Sequence, residues 1–228
     1  MAERVLAVER ELVRIPEVLG AQTAAAVPQA FLTAFDAIVV QAGLASGDVL
    51  LVNGASGGVG TAAVQIAAAL GAQVVANVRT EGLRPRVAEL GATALGAEEA
   101  FALVRELGGA DVILELVGAV HMAPNLEALA RGGRLMVVGG KPGDEAPVVL
   151  RDLMSRRAQI RGSTLRTRPS EEKAALVQEL GRRVVPLLAS GAATALVDRV
   201  FPLAEAADAF DYVRAPGKLG KVLLELPA

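Results

Sequence analysis

The chain has 228 residues, 53% of them hydrophobic and 21% charged, with 23 Lys and Arg against 25 Asp and Glu for a net charge of −2. That length and apolar content suit an ordered domain with its own core and argue against disorder, and the near-neutral balance supplies no basic field for nucleic acid or an anionic membrane surface. The lack of cysteine and the single histidine, His121, exclude disulfides, thiolate zinc sites and multi-histidine metal sites, so no metal site is expected.

The opening MAERVLAVEREL is charged throughout and has no apolar h-region, so it does not read as a secretory signal, and a soluble cytoplasmic protein is the expectation. RVLAV (4–8) has a β-like pattern, an Arg/Glu-rich stretch follows it, and AQTAAAVPQAFLTAFDAIVVQAGL (21–44) is mostly helical. DVLLVN (48–53) is an apolar strand entering a glycine turn, TAAVQIAAAL (61–70) a helix stopped by Gly71, and QVVANV (73–78) a second strand. RPRVAELG (84–91) is a short helix with proline in its first turn, and EEAFALVRELG (98–108) a helix with acids at its start and glycine at its end. ADVILELVG (110–118) is a strand, APNLEALARGG (123–133) a helix, RLMVVGG (134–140) a strand, and AQIRGSTL (158–165) a last β run after RDLMSRR. SEEKAALVQELGRRVVPLLASG (170–191) reads as a helix opening on an N-cap serine. LVDRVFPL and KVLLEL are strands with the helix LAEAADAFDYVRA between them, and without partners in the central sheet they suggest a second, small sheet.

Alternating strands and helices joined by right-handed crossovers give an α/β fold, a doubly wound parallel (Rossmann) sheet with ligands at the carboxyl ends of its strands. The rival reading takes the thirty uncharged residues between Asp48 and Arg79 as a membrane span. One helix through Gly57-Gly58-Val59-Gly60 would lose about 1 kcal/mol per glycine relative to alanine, whereas strand, turn, helix and strand accommodate the same residues. No membrane association is therefore expected.

The turn Gly54-Ala55-Ser56-Gly57-Gly58-Val59-Gly60 follows a strand and opens a helix, the context in which a glycine cluster binds a dinucleotide. Small residues let a diphosphate approach the backbone, and the first N–H groups and dipole of the next helix attract it. Counted from Gly54, the spacing G-x-x-x-G-x-G is that of short-chain dehydrogenases, which need a tyrosine followed four residues later by lysine; the sole tyrosine, Tyr212, is followed by Pro216. Counted from Ala55, ASGGVG resembles the medium-chain dehydrogenase/reductase superfamily, in its zinc-free quinone oxidoreductase (zeta-crystallin-like) branch. FLTAFDAIVVQAGLASGDVLLVNGASGGVGTAAVQIA, ARGGRLMVVGG, RGSTLRTRPSEEKAALV, DRVFPLAEAADAF and GKLGKVLLEL each resemble landmarks of that branch, in order.

The resemblance implies hydride transfer from NADPH to a quinone or another conjugated carbonyl, without zinc. It implies three parts: residues 1–27 as the remnant of an N-terminal GroES-like catalytic domain of on the order of 100 residues, 28–168 as the Rossmann NADP-binding domain, and 169–228 as helices and strands returning to the catalytic domain. Two other readings stay open: an NADPH-binding module without its own turnover, completed by a partner polypeptide, and an enoyl-reductase segment of a larger synthase, which RGSTLRTRP disfavours.

Where NAD-preferring sites end the second strand in an acid, QVVANV runs into Arg79, whose guanidinium can pair with the 2′-phosphate of NADPH; Arg84 and Arg86 are nearby candidates. By position Ser56, Gly57, Gly58 and Val59 line the diphosphate. Val117 and Gly118 end one strand and Val138, Gly139 and Gly140 the next, where the resemblance places the nicotinamide. It also matches Lys221 to a basic position near the cofactor phosphates and Thr33 to the helix facing the nicotinamide. His121 reads as a loop-to-helix residue rather than a base, the arginines 151, 156, 157 and 161 as a solvated face, and Asp36, Phe31 and Phe35 as packing and surface; no catalytic residue is assigned. The β run 158–165 is expected at the sheet edge, where pairing with a second copy gives a homodimer.

Overall fold

Odd- and even-numbered residues of the apolar strands face opposite sides of one sheet, and each side carries its own helices. The computed structural model describes residues 4–140 and 144–227. Strands β1 (Val49–Asn53), β2 (Gln73–Asn77), β3 (Thr93–Leu95), β4 (Ala110–Glu115), β5 (Leu129–Val137) and β6 (Gln159–Gly162) form a six-stranded sheet in the order β3-β2-β1-β4-β5-β6. All of its neighbours run parallel. Leu50, Val52, Val74, Ala76, Val112, Leu114 and Met136 pack on one face, against helices α1 (Ala21–Phe35) and α2 (Gly58–Ala69). Leu51, Val75, Ile113 and Leu135 pack on the other, against Ala100, Phe101 and Val104 of α4 (Ala97–Glu106) and Leu126 of α5 (Met122–Ala128). Period-two alternation with both faces covered is what a parallel sheet requires. The succession of strands reverses between β1 and β4, so the ligand crevice of such a fold lies at their carboxyl ends.

Helix α1 continues without a break into a π turn, Asp36–Gln41. By length and composition this 21-residue helix is apolar enough to cross a membrane. In this fold Phe31, Phe35 and Ile38 put its apolar side into the core. The remaining helices are α3 (Arg84–Ala88), α6 (Leu150–Arg156), α7 (Ser170–Arg183), α8 (Val185–Ala189) and α9 (Ala206–Arg214), and β7 (Val197–Pro202) and β8 (Lys221–Glu225) form the separate two-stranded sheet, also parallel.

Several boundaries differ from the sequence expectation. Residues 4–8 form no strand; the chain after them is clasped by α7, where Arg10 meets Glu171 at 2.6 Å and Gln178 donates to the Arg10 carbonyl at 2.9 Å. The helix expected over 123–133 stops at Ala128, because Leu129 is fully buried and pairs with Ala110, so tertiary pairing takes 129–133 into β5. Ser170 is not an N-cap: Pro169 occupies that position, and the Ser170 hydroxyl lies 2.6 Å from a Glu11 oxygen. The helix over 170–191 breaks at Val184 into α7 and α8, since Pro186 brings no N–H to continue the ladder. Helix α3 ends at Ala88 rather than at residue 91, and strand β6 is four residues rather than eight. Strand β3, which the sequence reading missed, is three residues long and pairs with β2.

Candidate functional site

The carboxyl ends of the strands meet in register. Asn53 lies opposite Asn77 on one side and Glu115 on the other, and Glu115 lies opposite Val137. Beyond β1 the chain turns tightly, with the Gly57 N–H donating to the Gly54 carbonyl at 3.2 Å. Helix α2 starts at Gly58, three residues earlier than the sequence suggested, with Gly57 as N-cap and no side chain capping it. Ser56 and Gly57 thus precede the helix, and Gly58, Val59 and Gly60 form its first turn, whose N–H groups have no intrahelical acceptor. A Cβ on Gly60 would stand 2.6 Å from the Ala55 Cα, so only glycine lets the helix start this close to the turn. Uncapped N–H groups behind a glycine turn fit a diphosphate.

The C-terminal lobe closes over the same turn. The Gly220 N–H donates to the Ser56 carbonyl at 2.9 Å, and Gly57 and Gly220 form a parallel bridge. A Cβ on Gly58 would strike the Lys221 side chain, whose ammonium donates to Gln29 Oε1 at 3.0 Å. Thr33, one turn along α1, gives its hydroxyl proton to the Gln29 carbonyl at 2.6 Å. Lys221 and the helix of Thr33 therefore converge on the residues 56–59. The lobe is braced by Asp198, which accepts from the Tyr212 hydroxyl at 2.6 Å and from the Leu219 N–H at 3.0 Å. The Asp198 hydrogen bond, with partial burial and the charge of Asp198 adding to it, raises the Tyr212 pKa above its ordinary 10.0, against a smaller opposing effect of Arg199.

Arg79 is exposed just beyond β2, and Arg86 is exposed in α3. Arg84 is half-buried; its Nε donates to the Val78 carbonyl at 3.4 Å and its Nη1 lies 3.7 Å from Glu99. Val117 and Gly118 follow β4 and Val138, Gly139 and Gly140 follow β5, side by side at the carboxyl edge, with Val117 39% exposed.

A buried polar network lies beneath these turns, and sequence reasoning missed it. Asn77 Nδ2 donates to Asn53 Oδ1 (2.9 Å), and Asn53 Nδ2 donates to Glu115 Oε2 (2.9 Å) and to Asn125 Oδ1 (2.7 Å). Asn125 Nδ2 donates to Glu115 Oε2 (2.8 Å), and the Val117 and Gly118 N–H groups donate to Glu115 Oε1 at 2.6 and 2.9 Å. His121, in the short turn before α5, brings Nδ1 to 3.3 Å from Glu115 Oε2. Burial pushes the Glu115 carboxyl up, but the donors from His121, Asn125, Gly118 and Val117 more than offset it and hold its pKa below the usual 4.5. The available signal was three apolar strands, two ending in Asn and one in Glu, at one register.

Asp36 is not a surface residue: it is 0% exposed, and Arg168 reaches both of its carboxylate oxygens, at 2.8 and 2.9 Å. Gln41 and Ser163 also donate to it, at 2.6 and 3.0 Å, tying the π turn to the segment after β6. Among the described residues no group of three or more His, Asp or Glu stands together as a metal site.

A family model described as "Zinc-binding dehydrogenase" matches residues 58–182. A quinone oxidoreductase of Sus scrofa is 31% identical over 239 residues, spanning 99% of this chain and 69% of that protein. The quinone oxidoreductase from Thermus thermophilus, whose structure was solved with and without NADPH, superposes with a TM-score of 0.85 at 35% identity, over 94% of this chain and 69% of that one. An NAD-dependent alcohol dehydrogenase superposes with a TM-score of 0.85 at 30% identity, over 98% of this chain and 64% of that one. This chain thus spans about two thirds of the length of each of these proteins.

Proposed function

The chain belongs to the zinc-binding dehydrogenase family, within the medium-chain dehydrogenase/reductase superfamily, and on that premise we propose that it binds NADPH and serves zinc-independent reduction of a quinone or another conjugated carbonyl. The observation that carries the reading is the uncapped, glycine-lined start of α2 with Lys221 laid across Gly58. Ser56, Gly57, Gly58 and Val59 line the diphosphate, which meets the N–H groups at the start of α2, and Lys221 adds a cation beside it. Arg79, exposed and free to swing, reads the 2′-phosphate, while Arg84 supports the end of β2 through the Val78 carbonyl. Val117, Gly118, Val138, Gly139 and Gly140 border the nicotinamide.

Bound NADPH supplies the hydride. Conjugation in the acceptor spreads the developing charge over its π system, so hydrogen-bond donors suffice where a simple ketone calls for a Lewis acid. That agrees with a chain without cysteine and with a single histidine. The protein is proposed to be cytoplasmic and to pair as a homodimer through β6.

Fluorescence titration of the purified chain with NADPH and NADH tests the cofactor, and NADPH oxidation with a panel of quinones and enones tests the acceptor. Expected are saturable NADPH binding, weaker NADH binding, and oxidation with conjugated acceptors. Absence of nucleotide binding by the folded chain defeats the proposal; binding without turnover leaves a nucleotide-binding module in its place.

A further inference from the structure

Glu115 is buried, 1% exposed, and its hydrogen bonds reach the turns after β4 and β5 and the last residue of β1. Its Oε1 accepts from the Val117 and Gly118 N–H groups, and its Oε2 from the side chains of Asn53 and Asn125. Its backbone carbonyl accepts from the Val138 and Gly139 N–H groups at 3.0 and 3.1 Å. One residue therefore holds the turn after β4 by its side chain, the turn after β5 by its backbone, and the last residue of β1 through an amide. We propose that Glu115 is the positioning residue for the nicotinamide end of the site; the inference rests on the NADPH reading above and names what sets the geometry at one end of it.

Close packing makes the clamp consequential. A Cβ on Gly54 would stand 3.2 Å from Val117 Cγ2, and a Cβ on Gly139 would strike the Leu116 carbonyl. The segment 116–118 is wedged between the glycine turn on one side and the turn 138–140 on the other. It cannot shift without moving one of them. The side-chain carboxylate cannot act as the proton donor, because its oxygens already accept from Val117, Gly118, Asn53 and Asn125, with His121 Nδ1 3.3 Å from one of them, and it is held ionised among them. Its role is geometric.

Glu115→Gln keeps the shape and turns one of the two acceptors into an NH2 group. Whichever way the amide lies, it faces two donors, so either the 117–118 clamp or the Asn53–Asn125 pair loses its acceptor. The nicotinamide-end turns then loosen while Arg79 and the start of α2 keep their own supports. Calorimetric titration of wild type and Glu115→Gln with two probes tests this: NADPH, which spans the whole site, and 2′,5′-ADP, which carries only the adenosine end and its phosphates. The expected result is at least a tenfold weakening for NADPH with 2′,5′-ADP affinity unchanged within twofold. Equal weakening of both probes, or no weakening of NADPH, overturns the role of Glu115 while leaving the cofactor proposal standing. A wild type that binds neither probe overturns both. Should Glu115→Gln fail to fold, Glu115→Asp keeps the charge and shortens the reach by one methylene; the same selective loss is expected, and its absence is equally fatal.

Discussion

Asp36 and Arg168 form an ion pair between the π turn and the segment after β6, with the acid wholly buried and the arginine mostly so. Breaking a buried pair from one side leaves an uncompensated charge, whereas replacing both partners removes the cost of desolvating them. Arg168→Met is therefore expected to destabilise the fold by about 3–5 kcal/mol, and the double variant Asp36→Leu/Arg168→Met by much less, both read from urea unfolding. Additive losses would mean that the pair is not coupled. Lys221 and Arg79 divide the proposed cofactor contacts differently. A lost charge-assisted bond is worth about 1.5–3 kcal/mol, or roughly tenfold or more in Kd. Lys221→Met is expected to weaken NADPH and NADH alike by that factor, because the diphosphate is common to both. Arg79→Ala is expected to weaken NADPH by about tenfold and leave NADH unchanged; equal effects of the two substitutions on both cofactors would remove the assigned division.

Elements whose environment matched their own pattern were legible in the sequence. Strands β1, β2 and β4 are continuous apolar runs because both of their faces are buried, and the glycine turn announced its helix. The errors fall where distant contacts decide. Leu129 leaves its helical pattern to pair with Ala110, and Ser170 leaves a capping role to meet Glu11. Strand β3 has three residues and owes its extended form to β2. The place of Ser56–Val59 at the start of α2 could be read from spacing, but the Glu115 network could not, since an acid ending a strand does not reveal which donors await it. The small β7–β8 lobe, anticipated from two unpartnered strands, carries its own testable device at Asp198. Hydrogen bonding to Asp198 favours the neutral Tyr212 phenol, so this bond stabilises the lobe below pH 10.0 and is lost as the pH rises through the higher folded value. Absorbance titration of the single tyrosine is expected to give a midpoint above 10.0 in the native chain, and Asp198→Asn to bring it down; a native midpoint at or below 10.0 would contradict the bond.

At the scale of the molecule the sheet has two edge strands, three-residue β3 on one side and β6 on the other. An unpaired edge of main-chain groups is a template for another strand, and symmetric pairing with a second copy satisfies it without an open-ended array. Nearby, α6 exposes Leu150 and Met154, and Val149 just before it is exposed as well. The ladder geometry says which groups remain free. Ser163 directs its N–H to the Val137 carbonyl, so by the alternation of a strand Arg161 also faces β5, and the N–H groups of Ile160 and Gly162 point outward. Ile160→Pro therefore deletes an outward donor while sparing the β5 ladder, the position at which an edge strand tolerates proline. Light scattering is expected to give twice the 23.4 kDa chain mass for the wild type and the single-chain mass for Ile160→Pro, with both proteins equally folded by circular dichroism. A wild type of 23.4 kDa at micromolar concentration would remove β6 as a dimer edge. A variant that stays dimeric would move the interface to another surface, with the apolar residues of α6 as the next to substitute.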